Sequence, residues 1–288
     1  MEKQQGRRNF LKLAGLTAGA LQLPLAGWAE GFKTLLNEGI NPSGEFSLLK
    51  LEKLLVGYAF PFVEQFSTSG FHSGYKLYNL YGDNIVFAGE LFIKSETKGE
   101  NRLFDFLDWR FADNGIKDRI KKFKYIVSGS VTTAHDTTLT PEQWNVFSRI
   151  ALTENDKPYR GAGLVSQGTV LNGDIMIQTP AKLFGKPGFN QALSWKWGLI
   201  SVAQQMAEAS TPEIQFNMLD EFDIVHPNQK MKNKKQATID CGGGRLVDFN
   251  VFEQTGEGVI PTIYWVDQWN RTVFVVSGME AYVLNYDK

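Results

Sequence analysis

Acid–base chemistry is the first thing this chain offers. It carries three histidines, His72, His135 and His226. None has the His-x-x-x-His or His-Glu-x-x-His spacing that sets two ligands on one helix face for a metal. His135 and Asp136 are neighbours on a threonine-rich loop. In a strand they would point apart, and a loop lets an imidazole and a carboxylate cooperate. Together with Asp267 they form the candidate acid/base set. Asp105, Asp108 and Glu142 are further carboxylates able to work as a pair with Asp267, but spacing selects no pair among 31 acidic residues. There is no Gly-x-Ser-x-Gly elbow, and Cys241-Gly-Gly-Gly lacks the Lys-Ser/Thr of a phosphate loop. Gly256-Glu-Gly258 lacks the third glycine and the following helix of a dinucleotide fingerprint. The sequence therefore names no catalytic centre, no metal and no cofactor. The single cysteine, Cys241, excludes an internal disulfide and a cysteine-based zinc site, and reads as a buried, inert thiol.

Aromatic side chains give the stronger binding signal. Trp195 and Trp197 stand two apart on a predicted helix, roughly 200° apart around its axis, so one helix face cannot bury both. The tryptophan left over is free to stack on a ligand. Further on, alternation sends Tyr264 and Val266 to one side of a strand and Trp265 and Asp267 to the other. An aromatic face beside a carboxylate at a cleft mouth suits a sugar or a polar lipid head. Trp195, Trp197, Tyr264, Trp265 and Asp267 are the candidate ligand-binding residues. The competing structural reading puts the tryptophans in a core or its rim and makes Asp267 to Arg271 a hairpin turn with polar ends.

The elements that must position these residues are mostly strands. Alternation or turn chemistry predicts strands over 75–81, 85–93, 102–111, 123–133, 161–170 and 174–178. The intervening turns are Gly82-Asp-Asn, Thr97-Lys-Gly-Glu, Asp113-Asn-Gly and Leu171-Asn-Gly. Pro141 to Phe147 reads as a helical turn with Thr140 as N-cap, and His226-Pro227 as the end of a segment. One helix is predicted over 195–208, capped by Ser194, with apolar residues at 195, 199, 202, 203 and 206 on one face. Residues 214–225 are ambiguous. Strands follow at 235–241, 245–253, 263–267 and 272–284, with Gly242-Gly-Gly244 as a turn. A short helix is expected over 31–40, and 48–63 passes from helical to extended spacing. The fold class is mainly β: a curved antiparallel sheet, or open half-barrel, wrapping one amphipathic helix. Residues 30–288 form one β-rich globular domain, since no linker, repeat or low-complexity stretch divides them.

The segments Trp197-Gly-Leu-Ile-Ser-Val-Ala-Gln-Gln, Pro261-Thr-Ile-Tyr-Trp-Val-Asp267 and Arg271 to Leu284 together resemble a group of exported bacterial proteins of unknown function, related in pattern to the half-barrel families around the lipoprotein carrier LolA. The resemblance covers about residues 85 to 284 and rests on packing motifs. It implies a sheet whose concave side is plugged by a helix, and it implies no activity.

Residues 1–29 read as an export signal. Arg7 and Arg8 are followed by Phe10, Leu11 and Lys12, then an apolar run from Leu13 to Leu25, then Ala26-Gly-Trp-Ala29. This looks like a twin-arginine (Tat) signal: paired arginines, a short core of modest hydrophobicity and a small-residue cleavage site after Ala29. The run is shorter than the roughly 20 residues that span a bilayer, so no stable membrane span is expected after cleavage. The implied partner is the Tat translocase, which passes folded cargo, and the implied location is periplasmic or extracellular. The whole chain is at −1, and losing four cations and one anion with the signal leaves about −4. Such a balance has no general pull toward nucleic acid. The basic runs 117–124 and 230–235 read as solvated edges or hairpins. Two functions follow as expectations: a periplasmic binding or carrier protein for an apolar or amphipathic ligand, and, as the alternative, a periplasmic enzyme acting on an envelope carbohydrate or small metabolite.

Overall fold

Fifteen strands, β1 to β15, hydrogen-bond into a single sheet in the order β8-β7-β6-β5-β4-β3-β2-β1-β15-β14-β13-β12-β11-β10-β9. The structure is a computed structural model that describes residues 70–81, 84–112, 123–171, 173–180, 183–186, 192–240 and 246–287, all within one compact unit, Ser47–Lys288. The export signal, the 31–40 helix, the 48–63 stretch, most of 117–124, the turn residues Asp113-Asn-Gly and Gly242-Gly-Gly244, and Cys241 lie outside the described residues.

The first half of the sheet is a meander: β1 (Phe71–Tyr81), β2 (Asn84–Lys98), β3 (Asn101–Phe111), β4 (Phe123–Ala134), β5 (Pro141–Leu152), β6 (Pro158–Leu171), β7 (Asp174–Gln178) and β8 (Leu183–Lys186). The second half starts from the far edge with β9 (Leu193–Trp195) and the helix α1 (Gly198–Glu208). It returns through β10 (Glu213–Asp220), β11 (Ile224–Asp240), β12 (Leu246–Thr255), β13 (Thr262–Asp267), β14 (Thr272–Ser277) and β15 (Glu280–Asp287). Neighbouring strands are antiparallel except β9 and β10, which run parallel. The two halves join at the β1–β15 seam, where Leu77 faces Tyr282.

Chain connectivity dictates the curvature. The two edge strands, β8 and β9, are consecutive in sequence, and Lys186 is only seven residues from Leu193. Seven residues reach at most about 25 Å. A flat sheet of fifteen strands would hold its edges roughly 67 Å apart at about 4.8 Å per strand. The sheet must therefore curl until its ends approach. The rings agree: Trp195 on β9 meets Phe104 and Phe106 of β3 at centroid distances of 5.4 and 6.0 Å.

Period-two alternation sets the inner face. On β3, Arg102, Phe104, Phe106 and Asp108 are buried while Asp105 is exposed. On β5, Trp144 and Val146 point inward and Gln143, Asn145 and Phe147 outward. That alternation overrides the helical turn expected at 141–147. The local cap is Asp136 instead: its Oδ1 accepts from the amides of Thr138 (3.1 Å) and Thr140 (2.9 Å), closing the β4–β5 turn.

Three other expectations change. His226-Pro227 does not end a segment: β11 runs through it, with the register slipping between Phe216 and Met218 on β10 and Asn228 at φ 53°. A bulge tolerates a proline that cannot donate to the ladder. Residues 272–284 are two strands rather than one, turned at Gly278 with φ 57°, a conformation glycine adopts without penalty. The helix begins at Gly198, so Trp195 ends a strand and Trp197 is the N-cap, without a side-chain cap bond.

Candidate functional site

The start of α1 lies against the inner face of β10–β15, and a cavity of about 280 Å³ sits between them. Its sheet wall consists of two cross-strand rows. Register places Gln254, Thr262, Ser277 and Glu280 side by side in one row, and Tyr264, Val275 and Tyr282 in the next. Trp197, Leu199 and Ile200 supply the helix side, and Lys196, Asp220 and His226 line the same space. One part of the wall is thus apolar, and another carries charged and hydroxyl groups.

The polar part is ordered by its own contacts. Lys196 Nζ pairs with Asp220 Oδ1 at 3.0 Å, and His226 Nε2 stands 3.6 Å from Asp220 Oδ2. Tyr264 donates to Gln254 Oε1 (3.1 Å), and Gln254 Nε2 reaches Gln229 Oε1 (3.4 Å). Gln229 donates to the carbonyls of Pro227 and Glu257, which ties the bulge to the β12–β13 loop. Behind Tyr282 sits Arg110 of β3. Its guanidinium donates to Tyr282 Oη (2.5 Å), to both Glu280 oxygens (3.0 and 2.9 Å) and to Asp108. Gly89 stands opposite Arg110 on β2, and a Cβ there would meet the Trp109 carbonyl oxygen.

Burial raises the pKa of both phenols, Tyr264 and Tyr282, so each stays a hydrogen-bond donor. Burial also pushes the Asp108 carboxyl up, against the opposing pull of Arg110. For Arg110, burial alone would favour loss of the proton, but Tyr282, Asp108 and Glu280 outweigh it and hold the cation.

The five expected ligand-binding residues divide. Trp197 and Tyr264 line this cavity. Trp195 is fully buried and packs on Phe104, Phe106 and Phe222. Trp197 also stacks on Phe106 at 4.7 Å. Both tryptophans are buried, against the helical expectation, because the chain here is strand and then turn. Phe222, in the β10–β11 turn at φ 62°, touches Trp144, Trp195 and Trp197 together. Trp265 is fully buried edge-on to Phe249 at 5.9 Å, and Asp267 is fully buried as well, so neither stands at a cleft mouth.

Asp267 is held by its own turn. Oδ1 accepts from the amides of Trp269 (3.0 Å) and Arg271 (2.9 Å), and Oδ2 from Arg271 Nε (2.9 Å) and Nη2 (2.7 Å). Burial pushes this carboxyl up while Arg271 and the turn amides pull it down. Each oxygen is engaged within the turn, which leaves little capacity for substrate. His135 and Asp136 lie in the exposed β4–β5 turn, remote in the chain from Asp267, and none of the three lines the cavity. The acid/base set named from sequence is not assembled in one pocket. Among the described residues no three His, Cys, Asp or Glu side chains group as metal ligands.

Lys196, Asp220, Gln254, Glu280 and Tyr282 were not singled out from sequence. They come from β10, β12, β15 and the turn before α1, and no spacing along the chain links them. The one local trace is alternation, which marks Tyr282 as sharing a strand face with Glu280.

The fold is a curved, mainly antiparallel sheet with one described helix against its inner face. Comparison of the sequence with protein-family models and with curated proteins gives no match. Among solved structures, the chain is similar in fold to a beta-barrel-like protein of the domain of unknown function DUF1849 from Brucella abortus. The TM-score is 0.51 at 11% identity, over 76% of this chain and 97% of that one.

Proposed function

We propose that this chain is an exported binding or carrier protein that takes an apolar or amphipathic ligand into the cavity between the start of α1 and the β10–β15 wall. The observation that carries the reading is the division of that cavity: Trp197, Leu199, Ile200 and Val275 on one part, Lys196, Asp220, His226 and Glu280 on another. An amphiphile matches such a wall, with its chain on the apolar part and its head on the charged part. The volume lies just below the usual range of roughly 300–1,000 Å³ for small-molecule pockets, so the ligand is small or inserts only one end. A curved sheet around a helix also suits the carrier pattern of LolA-type half-barrels. The Arg7-Arg8 signal supports folded export through the Tat translocase to the periplasm.

The test is to purify the mature protein from its own compartment, extract it and identify what it carries by mass spectrometry. Exchange is then followed with a fluorescent fatty-acid probe. The expected result is one bound amphiphile per chain, with probe affinity falling at least tenfold in Ile260→Glu. That residue is largely exposed and lines the cavity, so the change sets a charge there without disturbing the core. An empty native protein that takes up no probe overturns the reading. Export is tested separately: with Arg7 and Arg8 both changed to Lys, the precursor should stay in the cytosol.

The alternative, a periplasmic enzyme acting on an envelope carbohydrate or small metabolite, now draws support from the His226–Asp220 contact alone. Turnover of a bound ligand that is abolished in His226→Gln would favour it.

A further inference from the structure

The other face of the first half-sheet carries a surface feature separate from the cavity. A groove of about 360 Å³ crosses β4 to β8. Register aligns Ser130, Asn145, Gln167 and Gln178 in one cross-strand row. The row beside it holds Thr132, Gln143 and Thr169. All seven line the groove, and none of its lining residues is ionisable, although 21% of the chain is charged. No side-chain hydrogen bond among the described residues engages any of the seven. Gln143, Asn145, Gln167 and Gln178 are exposed.

Two aromatic residues stand next to this groove. Trp144 borders it from within the sheet, but its side chain turns to the inner face, where the ring packs against Phe222. Its ring lies against Gly168, where a Cβ would come within 2.0 Å of Cζ2. The next row along the same face carries Phe147, 39% exposed, between Ser128 and Val165. The Arg149 guanidinium stands 6.0 Å from that ring.

We propose that this groove binds a neutral glycan chain. Carboxamides and hydroxyls both donate and accept, which matches sugar hydroxyls and, best of all, acetamido groups, whose C=O and N–H pair with a carboxamide in both directions. Phe147 offers a ring for the apolar face of a sugar. The rows cross four strands about 4.8 Å apart, a length of roughly 14 Å, which suits an oligosaccharide rather than one ring. Nucleic acid and anionic lipid both require cations that the groove lacks. A peptide adding to a sheet would take an edge strand rather than a face.

The test titrates the full mature chain with N-acetylglucosamine hexamer and with cellohexaose by calorimetry, and repeats both with the double variant Asn145→Ala, Gln167→Ala. Binding of at least one glycan is expected, tighter for the acetylated one. The double variant should bind about tenfold more weakly, as expected for the loss of two modest hydrogen bonds. Both positions are exposed, so the variant should melt as the parent does. The cavity variant Ile260→Glu should bind the glycan unchanged. No heat with either glycan at millimolar concentration, or equal affinity in the double variant, overturns the proposal.

Discussion

Asp267 shows how a residue that looks catalytic can be wholly occupied by structure. Its two oxygens accept four hydrogen bonds inside one five-residue turn. Removing Arg271 strands a buried carboxylate, so Arg271→Leu should lower stability by about 3–5 kcal/mol in guanidinium unfolding. Adding Asp267→Asn to that variant should restore part of the loss; a neutral Arg271→Leu would mean the pair is not buried. Asp108 gives a pH signature. Burial raises its folded pKa above the unfolded value of about 3.9. The folded state therefore holds the proton more tightly, and this contribution is complete below about pH 4 and is lost as pH rises through the raised value. Unfolding measured at pH 4 and at pH 7 should show Asp108→Asn gaining stability relative to the parent as pH rises. The opposite trend would show that Arg110 dominates the carboxyl. Both residues stand out in the sequence only as acids among many. What separates them is burial, and burial depends on strands far along the chain.

At the scale of elements, strand spacing and turn residues were legible, and the region around α1 was not. Alternation in Asn101–Phe111 and Phe123–Ala134, and the turn at Gly173 (φ 85°), act locally, so the chain shows them directly. The 195–208 pattern predicts one helix because Trp195 fits its apolar spacing. A parallel pairing of Leu193–Trp195 with β10 wins instead, and pairing of that kind leaves no periodic mark in three residues. Gly198 then makes room for the Trp195 indole, whose Nε1 lies 2.3 Å from where a Cβ would stand. Gly168 does the same for Trp144. Gly168→Val should therefore cost about 1–3 kcal/mol through overpacking. Thermal unfolding followed by tryptophan fluorescence checks this, and an unchanged midpoint would show that the Trp144 ring is free to move.

For the whole molecule, the decisive contact is the β1–β15 seam. Tyr75 donates to the carbonyl of Thr272 (2.9 Å), 197 residues away in the chain, and Thr272 Oγ1 donates to the Ile200 carbonyl of α1 (2.9 Å). One side chain, one strand and the helix are thus pinned at a point that only the completed chain can form. Ending the chain at Ser277 removes β15 and leaves β1 and β14 with open ladders, the arrangement that favours edge-to-edge pairing. That truncation should lose cooperative thermal unfolding and sediment as aggregate. A monomer with a sharp melt would mean the two halves are stable without their seam. The cavity belongs to this scale as well, since its walls are α1 and six strands of the second half, with Arg110 of the first half holding Tyr282 and Glu280 from behind.

The sequence by itself determined what acts over a few residues: the β class, most strands of the first half, the glycine and asparagine turns, and a helix near residue 200. Each depends on alternation, backbone freedom or spacing on one face, and these are written in neighbouring letters. Tertiary structure decided which tryptophans are core, that Asp267 belongs to Arg271, and that Lys196, Asp220 and His226 share a cavity with Tyr264 and Tyr282. Those outcomes follow from the curl of the sheet and the register between strands, which couple residues that no local pattern connects.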